Sequence, residues 1–504
     1  MVAQKKKTRE TLSSDEVEIK EVIKATEARG ELLEFWIGRW GSIIPMLFFV
    51  IWAVVMSLVL GQSTETSSKV PTYLILGIII GLVVGMFLSK GSWKKYCQAI
   101  FDGMAKPVGV VAIICWLWAG MFAEVLKAGG LVEGLVWAGK LVGVSSSIFI
   151  GVTFVLAAVF ASAVGTGYGT VIAFCRIMFP AGLILGAHPV LMLGAILSGA
   201  AFGDNLAPVS DTTIVSAVTQ DADIPGVVRS RFKYAIAAAI PALILFLILG
   251  ALMTTSGSSI NLEDANKLVT KPIIADGLIL LIPFALVIFL ALRGNHIIVS
   301  ITWGIIVASA FVILFKLGKP EEIFTLKWKS PELEELKGGA LLRGVVGYLD
   351  LSVLILLIVA AGHIMQAGGA LDAIKQWILD RAKTSVSRAE VAIWSLVTSL
   401  NLFITVNTAA EIAAAPIVKE VGESYKIHPY RRANFLDALT SALGYIFPWS
   451  GGVLVAISAV GELKGITPIS HTEVWPYVLH GWFLVIVMLI AAITGFGRQF
   501  TNDK

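Results

Sequence analysis

Apolar residues run in stretches whose length suits a lipid bilayer. Six stand out, at 43–60, 71–88, 234–252, 274–292, 297–315 and 482–496. A helix crossing the hydrocarbon core needs about 20 mostly apolar residues, so each predicts one crossing. Two longer blocks, 108–226 and 351–461, are also apolar but are interrupted by glycine, proline, asparagine and carboxylates. Lipid tolerates broken backbone only where it is buried in protein or lines a wet cavity. The pattern predicts an all-α polytopic membrane protein whose working parts are the two interrupted blocks.

The blocks repeat each other at an offset near 240 residues. Ala128-Gly129-Gly130 matches Ala367-Gly368-Gly369, and Pro208-Val209-Ser210 matches Pro448-Trp449-Ser450. Repeats of this kind are common in transporters. An unbroken helix over 148–183 would be about 54 Å long, too long for one crossing of roughly 30 Å. We expect it to fold back as a re-entrant hairpin at its glycines, and 391–418 to do the same. The next segments, 191–226 and 433–461, read as crossing helices broken at 203–208 and 444–448.

Charge gives the orientation. The connection 184–190 has no Lys or Arg, whereas its counterpart 419–432 holds Lys419, Lys426, Arg431 and Arg432. Likewise 461–478 holds only Lys464, whereas Arg229, Arg231 and Lys233 follow the first block. Basic loops stay cytoplasmic, so two inverted-topology repeats are expected, with both termini cytoplasmic. The basic stretch 316–345 falls outside in that threading. The expected organisation is a cytoplasmic tail at 1–34, transmembrane helices and an amphipathic linker at 35–107, and a first transport repeat at 108–233. Connecting helices and an extramembrane loop follow at 234–350, a second repeat at 351–461, and a final helix and tail at 462–504. The tail has charges of both signs and lacks the apolar core of a cleavable signal; a helix is expected in it from about Ser14.

Composition excludes other classes. Of 504 residues, 57% are apolar and 15% charged, against roughly 45–50% and about 25% in soluble domains. A net charge of +4 from 39 basic and 35 acidic residues is too balanced for a nucleic-acid partner. Cys97, Cys115 and Cys175 have no CxxC spacing, which supports neither a disulfide framework nor a zinc site. There is no GxxxxGK[ST] run for ATP and no HExxH pair for an intramembrane hydrolase.

The densest chemistry lies in the run from Ser198 through Asp204-Asn205 and Pro208 to Ser210-Asp211-Thr212-Thr213. A carboxylate at the bilayer centre costs about 2.5–3.5 kcal/mol even on insertion scales, and a bound cation compensates it. Na⁺, as a hard ion, is expected to prefer oxygen ligands. Capping of the second half-helix by Ser210 or Asp211 accounts for one of these groups and leaves the rest. Gly165-Thr166-Gly167-Tyr168-Gly169 reads as a tight hairpin tip, with Thr166 and Thr170 offering hydroxyls, rather than as a channel filter or a dinucleotide loop. In the second block Asn401, Asn407, Thr408, Glu411 and Asp437 are polar at membrane depth. Asp437 is expected to carry protons or to serve as a second cation ligand; Asn407 and Thr408 suit either the site or helix–helix hydrogen bonding. His363, Trp116 and Trp118 read as packing residues.

Four stretches together resemble the NhaC family of Na⁺/H⁺ antiporters, within the ion transporter superfamily. The run from Ser198 to Thr213 is similar to the family's SGAxFGDxxSPxSDTT, and Gly165 to Thr170 to its GTSWGT. His428-Pro429 with Leu436-Asp437 is similar to HP…LE, and Phe447-Pro448-Trp449-Ser450 to IPWN. Departures are Ala207 for Ser, Tyr168 for Trp, Asp437 for Glu and Ser450 for Asn. The resemblance implies a secondary active transporter in the inner or plasma membrane, exchanging Na⁺ for H⁺ by alternating access, with no cofactor beyond those ions. Asp204 and Asp211 would bind Na⁺ when ionised, with Asn205, Ser210, Thr212, Thr213 and the hairpin tips completing the oxygen shell. Membrane lipid is the expected surrounding, and family analogy points to a homodimer. The alternative is Na⁺-coupled transport of a small organic solute such as an amino acid, carboxylate or amine, with Tyr168, Trp449 and Ser450 toward the solute.

Overall fold

The computed structural model describes residues 33–60, 70–208, 210–253, 271–325, 338–374, 376, 385–404, 406–461, 463 and 469–501. The tail helix expected from Ser14 lies outside these residues. The described residues are helical almost throughout; a two-residue antiparallel ladder joins Glu34–Phe35 to Ser89–Lys90. Helices α1 (Ile44–Leu60), α2 (Val70–Leu88) and α3 (Trp93–Met104) precede the first block. Then come α4 (Pro107–Ala128), α5 (Leu131–Val142), α6 (Ser146–Val164), α7 (Gly167–Ile184), α8 (Pro189–Leu206) and α9 (Asp211–Thr219). Helices α10 (Ile224–Leu252), α11 (Leu281–Leu292), α12 (Ile297–Leu314) and α13 (Ala340–Val346) connect the blocks. The second block holds α14 (Leu349–Ala367), α15 (Val386–Phe403), α16 (Asn407–Ser424), α17 (Pro429–Leu443) and α18 (Gly451–Gly461), and α19 (Leu479–Thr494) closes the chain.

Among the described residues nine helices are long and apolar enough to cross a membrane, or ten with the bent pair His471–Tyr477 and Leu479–Thr494. Their side chains divide as lipid requires. On α10, Tyr234, Ala238, Ala242, Phe246 and Gly250 recur every fourth residue and are buried, whereas Ile240, Ile244 and Ile248 face outward. Small residues on the inner stripe let helices approach closely, and branched apolar residues cover the lipid face.

Helices and breaks recur between the two interrupted blocks. Helices begin at 146, 167, 189 and 211 in the first and at 386, 407, 429 and 451 in the second, a constant offset of 240. The first hairpin turns at Gly165, whose φ of +75° is a left-handed helix end. Thr166 follows in extended backbone and caps α7 through Gly169 N. Gly182 near the end of α7 faces Phe149 near the start of α6, so the arms run antiparallel. The first broken helix stops before Pro208: Ala207 is extended, as a residue preceding proline tends to be, and it ends the α8 ladder at Leu206.

The length argument for a re-entrant turn does not hold. The 19 and 18 residues of α6 and α7 reach about 28 and 27 Å, and each helix could cross alone. The turn lies within the protein because its residues are covered: Thr166, Tyr168 and Thr170 on one hairpin, and Asn407 and Thr408 on the other, are all buried.

The blocks also exchange partners. Helix α9 packs on α16 and α17 of the second block, while α18 packs on α7 of the first. Contacts map onto each other through the same offset: Thr408 meets Asp211, and Tyr168 lies against Gly451. Buried ion pairs fasten the hairpins to their flanks. Arg176 on α7 pairs with Glu124 at 3.0 Å, and Glu390 on α15 holds Arg431 at 3.0 Å and Arg498 at 2.8 Å. Contrary to expectation, Arg231, Arg431 and Arg432 are buried in the protein and are not loop charges. The exposed or half-buried basic residues at these ends are Arg229, Lys233, Lys419 and Lys426.

Candidate functional site

Both hairpin turns and the break of the first broken helix meet in one place. Each turn or break brings together a helix end with unpaired carbonyls and a helix start with unpaired N–H groups. Backbone there can approach an ion closely, and the chain makes room for it. A Cβ on Gly167 would sit 1.8 Å from Tyr445 Oη and 3.1 Å from Asp204 Cβ, so only glycine fits at that point.

Asp204 is buried at the end of α8 and, among the described residues, accepts hydrogen bonds from neutral donors alone. Ser210 Oγ donates to its Oδ1 at 2.9 Å; Asn407 Nδ2 and Tyr445 Oη donate to its Oδ2 at 2.8 and 2.9 Å. Tyr168 Oη in turn donates to Asn407 Oδ1 at 3.3 Å. The hydroxyl of Ser210 therefore serves Asp204 rather than capping α9. Asp211 opens α9, where the helix dipole favours a negative charge, and accepts from Thr408 Oγ1. Thr212 Oγ1 lies 3.0 Å from Ser210 Oγ and 3.5 Å from Ser441 Oγ.

Asp437 is different. Its carboxylate is ion-paired with Arg231, and it also accepts from Thr213 Oγ1 at 2.9 Å and Ser441 Oγ at 2.6 Å. The same guanidinium donates to Asn205 O at 2.6 Å, Ser216 Oγ at 3.2 Å and Asn434 Oδ1 at 3.3 Å. Arg231 thereby ties α10 to both broken helices. The charge of Asp437 is already compensated, so it offers a cation far less than the free carboxylate expected from the sequence.

The other expected residues sort by their contacts. Thr170 Oγ1 donates to Thr166 O at 2.8 Å, and Gly169 leaves only 2.7 Å between a would-be Cβ and Thr166 Cγ2; both stabilise the turn. Trp449 stacks on Phe447 and donates to Leu402 O at 3.0 Å, pinning the end of α15 instead of facing a solute. Asn205 and Ser450 are buried with side-chain polar atoms that lack a partner among the described residues, and so is Glu411 at both carboxylate oxygens. Sequence reasoning missed Tyr445, Ser441 and Arg231. The 240 offset relates Tyr445 to Asn205, and Ser441 lies one helical turn from Asp437, so both were within reach; nothing local marked Arg231.

Asp204 and Asp211 both open onto a cavity of about 450 Å³, together with Thr166, Gly167, Tyr168, Asn407 and Thr408. Its walls are mainly apolar, and Lys106, His363 and Gln366 also line it. Among the described residues no three His, Cys, Asp or Glu side chains gather to hold a metal. An ion bound here would draw on mixed carboxylate, hydroxyl, amide and carbonyl oxygens.

A Na⁺/H⁺ antiporter family model matches residues 3–251 and 216–494. The chain is 26% identical to a malate-2H⁺/Na⁺-lactate antiporter of Bacillus subtilis, over 91% of this chain and 96% of that one. It is 24% identical to the arginine/ornithine antiporter ArcD of Halobacterium salinarum, over 82% and 85%. It is 26% identical to the Na⁺/H⁺ antiporter NhaC of Alkalihalophilus pseudofirmus, over 56% and 62%. Among solved structures, MtrF of Neisseria gonorrhoeae, described with a class of antimetabolite efflux pumps, aligns over 94% of this chain and 97% of its own, at 12% identity and a TM-score of 0.41. With family models matching along nearly its whole length, the chain belongs to the Na⁺/H⁺ antiporter family, a family of multi-span membrane transporters.

Proposed function

We propose that Na⁺ and H⁺ compete for the carboxylate pair Asp204 and Asp211, and that two oppositely inserted repeats expose this pair alternately to either side, with both termini cytoplasmic. One observation carries the reading. Glu124, Glu390 and Asp437 are buried carboxylates that each hold an arginine, and Glu411, buried with no arginine among its described partners, does not line the cavity. Among the described residues, Asp204, which is buried, and Asp211, which is half-buried, are held by hydroxyl and amide donors only, and both face the cavity. A buried carboxylate without a counter-charge is costly, and a proton or a Na⁺ removes that cost equally well. Two ligands that satisfy one site cannot occupy it together, which is sufficient for exchange. Meeting of the two hairpins at their turns, with helix starts at a constant offset, supports the opposed repeats.

The size of the cavity favours a second reading, Na⁺-coupled exchange of a small organic solute, in line with the relatives named for malate and lactate or for arginine and ornithine. Proteoliposomes separate the two. Under an imposed pH gradient, ²²Na⁺ uptake should saturate with no organic molecule present. Strict dependence on an added solute would select the second reading, and absence of Na⁺ movement under every condition would remove both.

A further inference from the structure

We propose that the cavity binds a small organic carboxylate, whose carboxylate group rests on Lys106 and whose apolar body lies along the cavity wall toward Asp204 and Asp211. This deepens the second reading above and rests on it. A Na⁺ ion with its oxygen ligands needs little space, whereas about 450 Å³ corresponds to roughly 15 water molecules at about 30 Å³ each. That volume lies within the roughly 300–1,000 Å³ range of small-molecule sites. The walls include Val111, Ile114, Ile214, Ile358, Ile404 and Ile412. They offer nothing to a hydrated ion, whereas covering them with an apolar body removes apolar surface from water, which is favourable.

The cavity carries charges of both signs. The carboxylates Asp204 and Asp211 lie beside the hairpin turns, and Lys106 stands at the start of α4, nine residues ahead of Cys115, which lines the cavity too. Its ammonium has three donors, and its described partner is a neutral amide, Gln366 Oε1 at 3.0 Å. It forms no described ion pair, and burial pushes it down to about 8. An anion beside it would return the solvation lost on burial. A solute with a carboxylate at one end therefore matches Lys106, while its other end, or a Na⁺ bound with it, matches the aspartates.

The test uses the full-length protein in liposomes, with radiolabelled L-lactate, L-malate and L-arginine as probes and choline as a cation without a carboxylate. At fixed Na⁺, at least one carboxylate probe should show saturable counterflow, and choline none. Lactamide, which is lactate with a neutral amide in place of the carboxylate, should compete roughly ten- to hundredfold less well than lactate, the value of a hydrogen bond to a charged group. Lys106→Met should raise the half-saturating concentration by a similar factor, and Lys106→Arg should restore most of it. If ²²Na⁺ exchanges in the wild type but no carboxylate probe moves, or if lactamide and lactate compete equally, the Lys106 subsite is wrong and Na⁺/H⁺ exchange stands. Counterflow in Lys106→Met equal to wild type overturns it as well. Wild type that moves neither Na⁺ nor any probe removes the underlying transport reading together with the subsite.

Discussion

Three aspartates lie within one polar cluster, and their partners divide the work. Asp437 and Arg231 are both fully buried, and they satisfy each other across α17 and α10. Removing one member strands the other charge, which typically costs about 3–5 kcal/mol. Asp437→Asn and Arg231→Met should therefore lower the melting temperature in detergent markedly. Asp211→Asn, which loses no ionic partner, should melt near the wild type; equal losses in all three variants would sink this division. Lys106 supplies a pH signature for solute binding. Lowered by burial to about 8, its ammonium is charged below that pH and neutral above it. Gln366 on α14 accepts from it, His363 on α14 interacts with both it and Asp102 on α3, and His296 at the start of α12 lines the same cavity. Affinity for a carboxylate probe should hold at pH 6–7 and fall as pH rises through about 8, measured as half-saturation of counterflow. A profile flat to pH 10 would remove Lys106 from the site.

The hairpins and broken helices were legible because their causes are local. Gly165 supplies a left-handed helix end, Pro208 forces Ala207 out of the helix, and the repeat offset carries the helix starts into the second block. The pairings that build the site were not legible, because Asp437 meets Arg231 from 206 residues away and Asp204 meets Tyr445 from 241. Arg231, Arg431 and Arg432 look like loop charges in sequence because the helices that bury them begin before the apolar runs do. Helix α10, for example, starts at Ile224, ten residues ahead of its apolar stretch. Trp449 resembled a pocket residue by motif alone, and only its bond to Leu402 reveals the packing role. Tight contact between the turns yields a prediction. Gly167→Ala must displace Tyr445 from Asp204, since the new methyl would lie 1.8 Å from Tyr445 Oη. Transport should fall at least about tenfold, with the protein still folded. Gly143→Ala is the control: it has φ of +65° and open space around it, so it should cost only about 1 kcal/mol of stability and leave transport intact. Equal transport in both variants would mean that the turn contact is incidental.

Taken whole, the molecule is two similar blocks that exchange their broken-helix ends and close on one cavity. If they are inserted oppositely, the bases of the two hairpins face opposite sides of the membrane. Lys140 and Ser424 are exposed near those bases. In a background lacking Cys97, Lys140→Cys and Ser424→Cys should react with an impermeant maleimide from opposite sides; same-side labelling would refute opposed repeats. The central claim is competition of Na⁺ and H⁺ for Asp204 and Asp211, and it is tested most directly by the half-saturating Na⁺ concentration of ²²Na⁺ exchange as a function of pH. Protons occupy the carboxylates more fully as pH falls, so half-saturation should rise by up to about tenfold per pH unit for each proton displaced. Asp211→Asn, whose amide resembles the protonated acid, should abolish Na⁺-dependent proton release while the protein stays folded. Half-saturation that is independent of pH, or normal exchange in both Asp204→Asn and Asp211→Asn, would contradict the account.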